Sequence, residues 1–230
     1  MRPVDKGAEP LDANGNPKQF SQYQNARRDL IERLGGYCSY CEMKLDASLA
    51  VEHVLSKKHH KDSALSWSNF LLGCTNCNST KGDHDPLINS CFWPDADNTF
   101  RAFEYSEDGV VRPNQSLSDA ERENAMRTIR LTGLDKTPLQ ATASDRRWQQ
   151  RREVWHIAQR ARQRLQRNDN EDFRDQVVET AVGHAYWSIW MTVFANDSDM
   201  LNRLIRALPG TAQSCFDTDG HPVLRPGGQI

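Results

Sequence analysis

Four of the six cysteines stand in two matched pairs, Cys38-Ser39-Tyr40-Cys41 and Cys74-Thr75-Asn76-Cys77. Each short loop can bring two sulfurs to one face of a tetrahedral ion. The pattern therefore predicts one structural Zn²⁺ held by Cys38, Cys41, Cys74 and Cys77. Reduced core cysteines, a redox pair or an iron–sulfur cluster are the alternatives, and two matched pairs favour zinc over all three. Four sulfur ligands leave no open position on the ion, so any hydrolysis must use other groups. Those groups are at hand. Val51-Glu52-His53-Val54 and Trp67-Ser68-Asn69-Phe70-Leu71-Leu72 lie between the pairs, and the second pair runs on into Asn78-Ser79-Thr80-Lys81-Gly82. A neutral imidazole with a pKa of about 6.5 accepts a proton from water near neutral pH. Cys91 and Cys215 stand apart and read as ordinary thiols.

The elements that must position these residues can be traced along the chain. Tyr23, Ala26, Leu30, Ile31 and Leu34 recur at helical spacing and stop at Gly35-Gly36, which predicts an amphipathic helix before the first cysteine pair. From Tyr37 to about Asp85 the chain is compact and irregular, with short strands expected at 49–51 and 70–72. Closing the cysteine pairs would pin the ends of a stretch too short to build its own core. Phe100, Phe103 and Tyr105 followed by Glu107-Asp108-Gly109 suggest a small hairpin. Ser118-Asp119-Ala120-Glu121 has the form of a capping box for a helix running to Gly133. A stripe of Val154, Ala158, Ala161 and Leu165 predicts a long helix from about Ser144 to Arg167. Val178, Val182, Ala185, Ile189 and Val193 predict a second one packed against it. A last helix spans about 199–208, and the tail rich in Pro and Gly beyond it reads as loosely ordered.

The ordered set of an acidic–His pair, a central Asn and Cys-x-x-Cys-Asn-x-x-Lys closely resembles the cysteine-containing HNH nucleases. That resemblance implies an α+β, mostly α fold: a ββα-metal HNH core with a four-cysteine zinc knuckle, preceded by an N-terminal helix and followed by a C-terminal helical region. It divides the chain into a nuclease part, residues 1–95, and a mainly helical, partner-binding part, residues 96–230. Glu52 and His53 would face opposite sides of the first strand. His53 would be the general base. Glu52 and Asn78 would offer oxygens to a catalytic Mg²⁺ or Mn²⁺, Asn69 would hold the loop after His53, and Lys81 would meet the phosphate. The chain departs from many relatives in two places. Leu55-Ser56-Lys57-Lys58-His59-His60 stands where a Pro and a glycine-rich stretch are common. Gly82 stands where some HNH enzymes carry a third histidine ligand, leaving His84 or Asp85 as substitutes only if the helix bends; His59 and His60 read as surface residues.

The wider framework of residues 1 to 85 resembles the PtuB family, HNH nucleases of Septu anti-phage systems that also accompany certain retrons. This implies a PtuA-like ATPase partner, a retron reverse transcriptase with its ncRNA or msDNA as a further partner, and DNA as the favoured substrate. RNA, for example a transfer RNA, is an alternative, because the motif contains no reader of the sugar. A zinc-knuckle adaptor without activity is the non-enzymatic alternative.

A net charge of -2 over 230 residues gives no global basic signature, so any nucleic-acid surface must be local. No signal peptide or membrane span is expected, and the cysteine usage suits the cytoplasm. Arg146, Arg147, Arg151, Arg152, Arg160, Arg162, Arg164 and Arg167 crowd one segment beside Asp145 and Glu153. They read as a solvated face or a partner contact before a phosphate contact. Trp148, Trp155, Trp187 and Trp190 read as core or interface anchors.

Overall fold

The segment between the cysteine pairs folds as two strands, β1 (Ala50–His53) and β2 (Phe70–Gly73), followed at once by the helix α2 (Thr75–Lys81). The computed structural model describes residues 1–45, 47–137 and 145–230. The strands are antiparallel, with Glu52 opposite Leu71 and His53 opposite Phe70. Phe70, Leu71 and Leu72 are fully buried, because both faces of this two-stranded sheet are covered. α1 (Arg27–Leu34) packs on β2 and α2 on β1. The expected N-terminal helix begins as a 3-10 turn at Tyr23–Ala26, buries Ala26, Leu30 and Leu34, and stops at Gly35, whose φ of 76° suits glycine.

The helical remainder starts with α3 (Thr99–Ala102) and the hairpin of β3 (Phe103–Tyr105) and β4 (Val111–Pro113). α4 (Asp119–Thr132) carries the full capping box between Ser118 and Glu121 and ends at Gly133 in the left-handed region. A Cβ on Gly133 would lie 3.0 Å from Thr80 and 3.2 Å from the Arg147 guanidinium, so this end of α4 sits tightly against α2. α5 (Arg147–Leu165), α6 (Glu171–His184), α7 (Trp187–Val193) and α8 (Ser198–Ala207) follow. The start of α5 expected near Ser144 lies outside the described residues. α7 is apolar on nearly all sides, and α5, α6, α8 and β3 pack around it with Trp187 and Trp190 fully buried.

Two expectations are corrected. The stripe from Val178 to Val193 is not one helix: the chain breaks at Ala185 and Tyr186, both at positive φ. The break is fixed from afar. Glu42, directly after Cys41, accepts from the Ser188 amide at 2.9 Å and thereby caps α7. The tail after Pro209-Gly210 is docked rather than loose. Asn98 donates through its side chain to the Cys215 and Val223 carbonyls, each at 2.7 Å, and Ile230 is buried.

Candidate active site and metal centre

Cys38 and Cys41 flank the turn before β1, while Cys74 caps the N-terminus of α2 and Cys77 lies one turn inside it. The four Sγ atoms lie within 4.8 Å of one another, all buried. Cys41 and Cys74 Sγ are 3.6 Å apart. A tetrahedral ion with Zn–S bonds of about 2.3 Å would separate two sulfurs by about 3.8 Å, whereas a disulfide would bring them to about 2.0 Å. The donor set thus fits zinc. Hydrogen bonds from Cys38, Cys41 and Cys77 hold the Cys74 thiol far below its ordinary pKa, while burial pushes Cys77 up.

A cation from the helical region already faces this cluster. Arg147 Nη1 donates to Cys77 Sγ at 3.0 Å and to the Thr132 carbonyl, and Nη2 donates to the Gly133 carbonyl and to Asp145. Burial alone would lower the Arg147 pKa, but Asp145 and the Cys77 sulfur outweigh it and hold the guanidinium charged. Arg151 is also buried and donates to the Gly109 and Leu134 carbonyls. Two members of the arginine cluster are therefore neither solvated nor free for a partner. Only Asp145 is a local partner of Arg147; the other acceptors of the two arginines lie on α2, at the end of α4 and on the loops after β3 and α4.

The second group of candidates surrounds a cleft of about 150 Å³ lined by Tyr23, Glu52, His53, Lys57, Asn78 and Lys81 among others. His53 Nε2 lies 3.0 Å from the Ala64 carbonyl. A carbonyl only accepts, so Nε2 carries the proton and Nδ1 keeps its lone pair. Burial lowers the His53 pKa, against the Ala64 bond and with the help of Lys57 and Lys81, so the ring is neutral near pH 7. Its edge packs against Tyr23 and Phe70, with ring centroids 4.8 and 5.3 Å away.

Glu52 and Lys81 form a buried pair at 3.0 Å, and Lys81 also donates to the His53 carbonyl at 2.6 Å. Lys81 is 1% exposed, so it is not the open phosphate-facing charge that its place in the motif suggests. Burial raises the Glu52 pKa against the pull of Lys81. Asn78 lines the cleft, and its side chain makes no hydrogen bond among the described residues. Asn69 donates to the Leu55 and Ser63 carbonyls and accepts from the Leu55 amide at 2.7 Å, so it fastens both ends of the 55–63 loop. His60 is paired with Asp85, and apart from the four cysteines no three His, Cys, Asp or Glu side chains among the described residues converge on one point.

Residues 38–84 match the family model for HNH endonucleases. The likeness to HNH endonucleases is confined to this segment, about a fifth of the chain. Both cysteine pairs, β1, β2 and α2 fall within it, while the helical remainder falls outside. No curated protein matches the chain.

Several residues that support the HNH segment carry no motif. Lys6 donates to the Ser68 and Phe70 carbonyls at 2.8 Å each and pairs with Asp95, clamping the entry to β2. Its contacts are visible only in three dimensions. Gly73 carries a signal that was legible, since glycine inside a strand marks a close approach. A Cβ there would lie 3.1 Å from Glu52 Cβ and 3.7 Å from Asn78 Cβ. Gly73→Ala is expected to displace Glu52 by a few tenths of an ångström and lower cleavage about tenfold, with the thermal midpoint nearly unchanged. A variant that cuts as well as the parent would show that the packing under Glu52 is slack. Asn69→Ala leaves buried backbone groups of the loop without partners and should cost about 2–3 kcal/mol of stability, measured by denaturant unfolding of the zinc-loaded protein.

Proposed function

We propose that the protein is a metal-dependent HNH endonuclease that hydrolyses phosphodiester bonds, with DNA the favoured substrate. The observation that carries this reading is the bond between His53 Nε2 and the Ala64 carbonyl, which leaves Nδ1 with its lone pair on a residue that lines the same cleft as Glu52 and Asn78. The Glu52 carboxylate and the Asn78 amide oxygen flank one small cleft over Gly73, a hard-oxygen pair suited to Mg²⁺ or Mn²⁺. When bound there, such an ion supplies Lewis-acid polarisation of the phosphate and stabilises the leaving oxygen.

The chain's own residues do the rest. His53 Nδ1 takes a proton from water as the water oxygen bonds to phosphorus. The bond from phosphorus to the 3′ oxygen breaks, and that oxygen leaves with a proton from solvent. Asn69 keeps the loop carrying Ala64 in place and so keeps the imidazole oriented. The zinc knuckle would hold the strand and the helix that present His53, Glu52 and Asn78 to one another.

The resemblance of residues 1–85 to the PtuB family supports a role in phage defence beside a PtuA-like ATPase in the cytoplasm, with the helical region, residues 96–230, as the partner-binding part. The test is cleavage of matched duplex DNA and RNA by the purified chain with that ATPase, in Mg²⁺ and in EDTA. Cutting in Mg²⁺ that EDTA stops, and that Glu52→Gln and Asn78→Ala lose, is the expected result. Failure of the folded, zinc-loaded protein to cut either polymer would overturn the reading.

A further inference from the structure

We infer that the exposed face of α5 is a docking surface for the phosphate backbone of duplex DNA; the inference rests on the nuclease reading above. With Arg147 and Arg151 buried, Arg162 bonded to the Val193 carbonyl and Arg146 ahead of the helix, the other four arginines of this segment take on a simple arrangement. Arg152, His156, Arg160, Arg164 and, just past the helix end, Arg167 are all exposed. At about 100° per residue they fall within an arc of about 120°, and at about 1.5 Å per residue the stripe is about 22 Å long.

Its arginines make no ion pair among the described residues, as is also true of the isolated exposed Arg27, Arg130 and Arg206. Arg28, Arg112, Arg122, Arg127, Arg174 and Arg203 are each paired with a carboxylate. The acid within the arc, Glu153, accepts from Gln149. Arg160 and Arg164 are neighbours at i,i+4, a like-charged spacing that destabilises a helix. Four arginines in one row without a carboxylate partner, on a chain of net charge -2, make this face complementary to a polyanion.

The shape of the row favours a duplex over a single strand: it is straight and rigid, matching evenly spaced phosphates, and the half-buried Trp148 ring beside it already lies under the Arg152 guanidinium, 5.7 Å from its centroid. α5 is also tied to the nuclease site, since its first residue, Arg147, bonds Cys77, the neighbour of Asn78.

The experiment measures binding of a 20-base-pair DNA duplex as a function of salt, using the full zinc-loaded chain carrying His53→Ala so that the duplex stays intact. Arg152→Gln, Arg160→Gln, Arg164→Gln and Arg167→Gln are combined in that background; Gln keeps helix propensity at exposed positions. The slope of log K against log salt should become shallower by about 3 to 4, with binding at least tenfold weaker near 0.1 M salt. An unchanged slope overturns the proposal, and so does a loss seen equally on single-stranded DNA. Unchanged DNA binding with lost retention on polyglutamate would assign the face to an acidic protein instead. Cutting by the parent chain is scored separately on the same duplex. Its absence, with the slope change intact, would count against the nuclease reading and leave this surface standing.

Discussion

His53→Ala is expected to lower metal-dependent cleavage by about a hundred- to ten-thousandfold, the usual range for a lost general base, while zinc content and fold are retained. The separation follows from the architecture. His53 sits at the end of β1 with its ring against Tyr23 and Phe70, and its one polar side-chain contact among the described residues is the Ala64 carbonyl. Alanine removes that contact and leaves the cysteine cluster untouched. Because Nε2 donates and Nδ1 accepts, His53→Gln tests the assignment further. An amide can donate to Ala64 but is too weak a base to take a proton from water. Rates should therefore stay low in both variants, and near-parental cutting by either one would remove His53 from the base role.

Arg147→Met should be the most destabilising single change outside the cysteines. Methionine keeps much of the volume but strips the buried charge, leaving the carboxylate of Asp145 and the carbonyls of Thr132 and Gly133 without their donor. Breaking a buried pair in this way costs about 3–5 kcal/mol. Two readouts separate the parts. The denaturant midpoint reports the loss at the α4–α5 junction, and zinc transfer to a chromogenic chelator reports the loss of the cation beside Cys77. Both should move, the second because four thiolates on one Zn²⁺ leave a net negative charge that Arg147 is placed to offset. A faster zinc release with an unmoved midpoint would mean that Asp145 finds another partner.

Arg147 also marks where reading the sequence stops. The cysteine pairs, the capping box at Ser118 and the glycine ends of α1 and α4 were legible because each depends on residues a few positions apart. The strand carrying Glu52 and His53 was legible to within a residue or two, from the apolar run and the motif together. The alternation that puts Glu52 against α2 and His53 against Tyr23 followed from strand geometry alone. What the sequence hid depends on partners far along the chain. Glu42 sets the break between α6 and α7 from 146 residues away. Asn98 holds the tail from 117 residues away. Lys81 has the spacing of a phosphate contact, yet burial commits it to Glu52 and to the His53 carbonyl. Spacing specifies which side chains share a face; it does not specify how far solvent reaches them.

The Glu52–Lys81 pair bears on how the site would be loaded. One negative and one positive charge cancel, so the pocket is electrically balanced before any divalent ion enters. An ion arriving alone must compete with an ammonium for the same carboxylate and leaves an excess of positive charge in a buried space. A phosphodiester arriving alone gains no attraction from a lysine already neutralised. When both arrive, the four sets of charges can regroup, the carboxylate to the ion and the ammonium to the phosphate. On the proposed reading, metal and nucleic acid would promote each other's binding, and by thermodynamic reciprocity the factor would be the same in either direction. Such a pocket would stay quiet in the presence of free Mg²⁺ and respond to the two ligands together, which would make the ion pair a threshold set by chemistry rather than by a moving part.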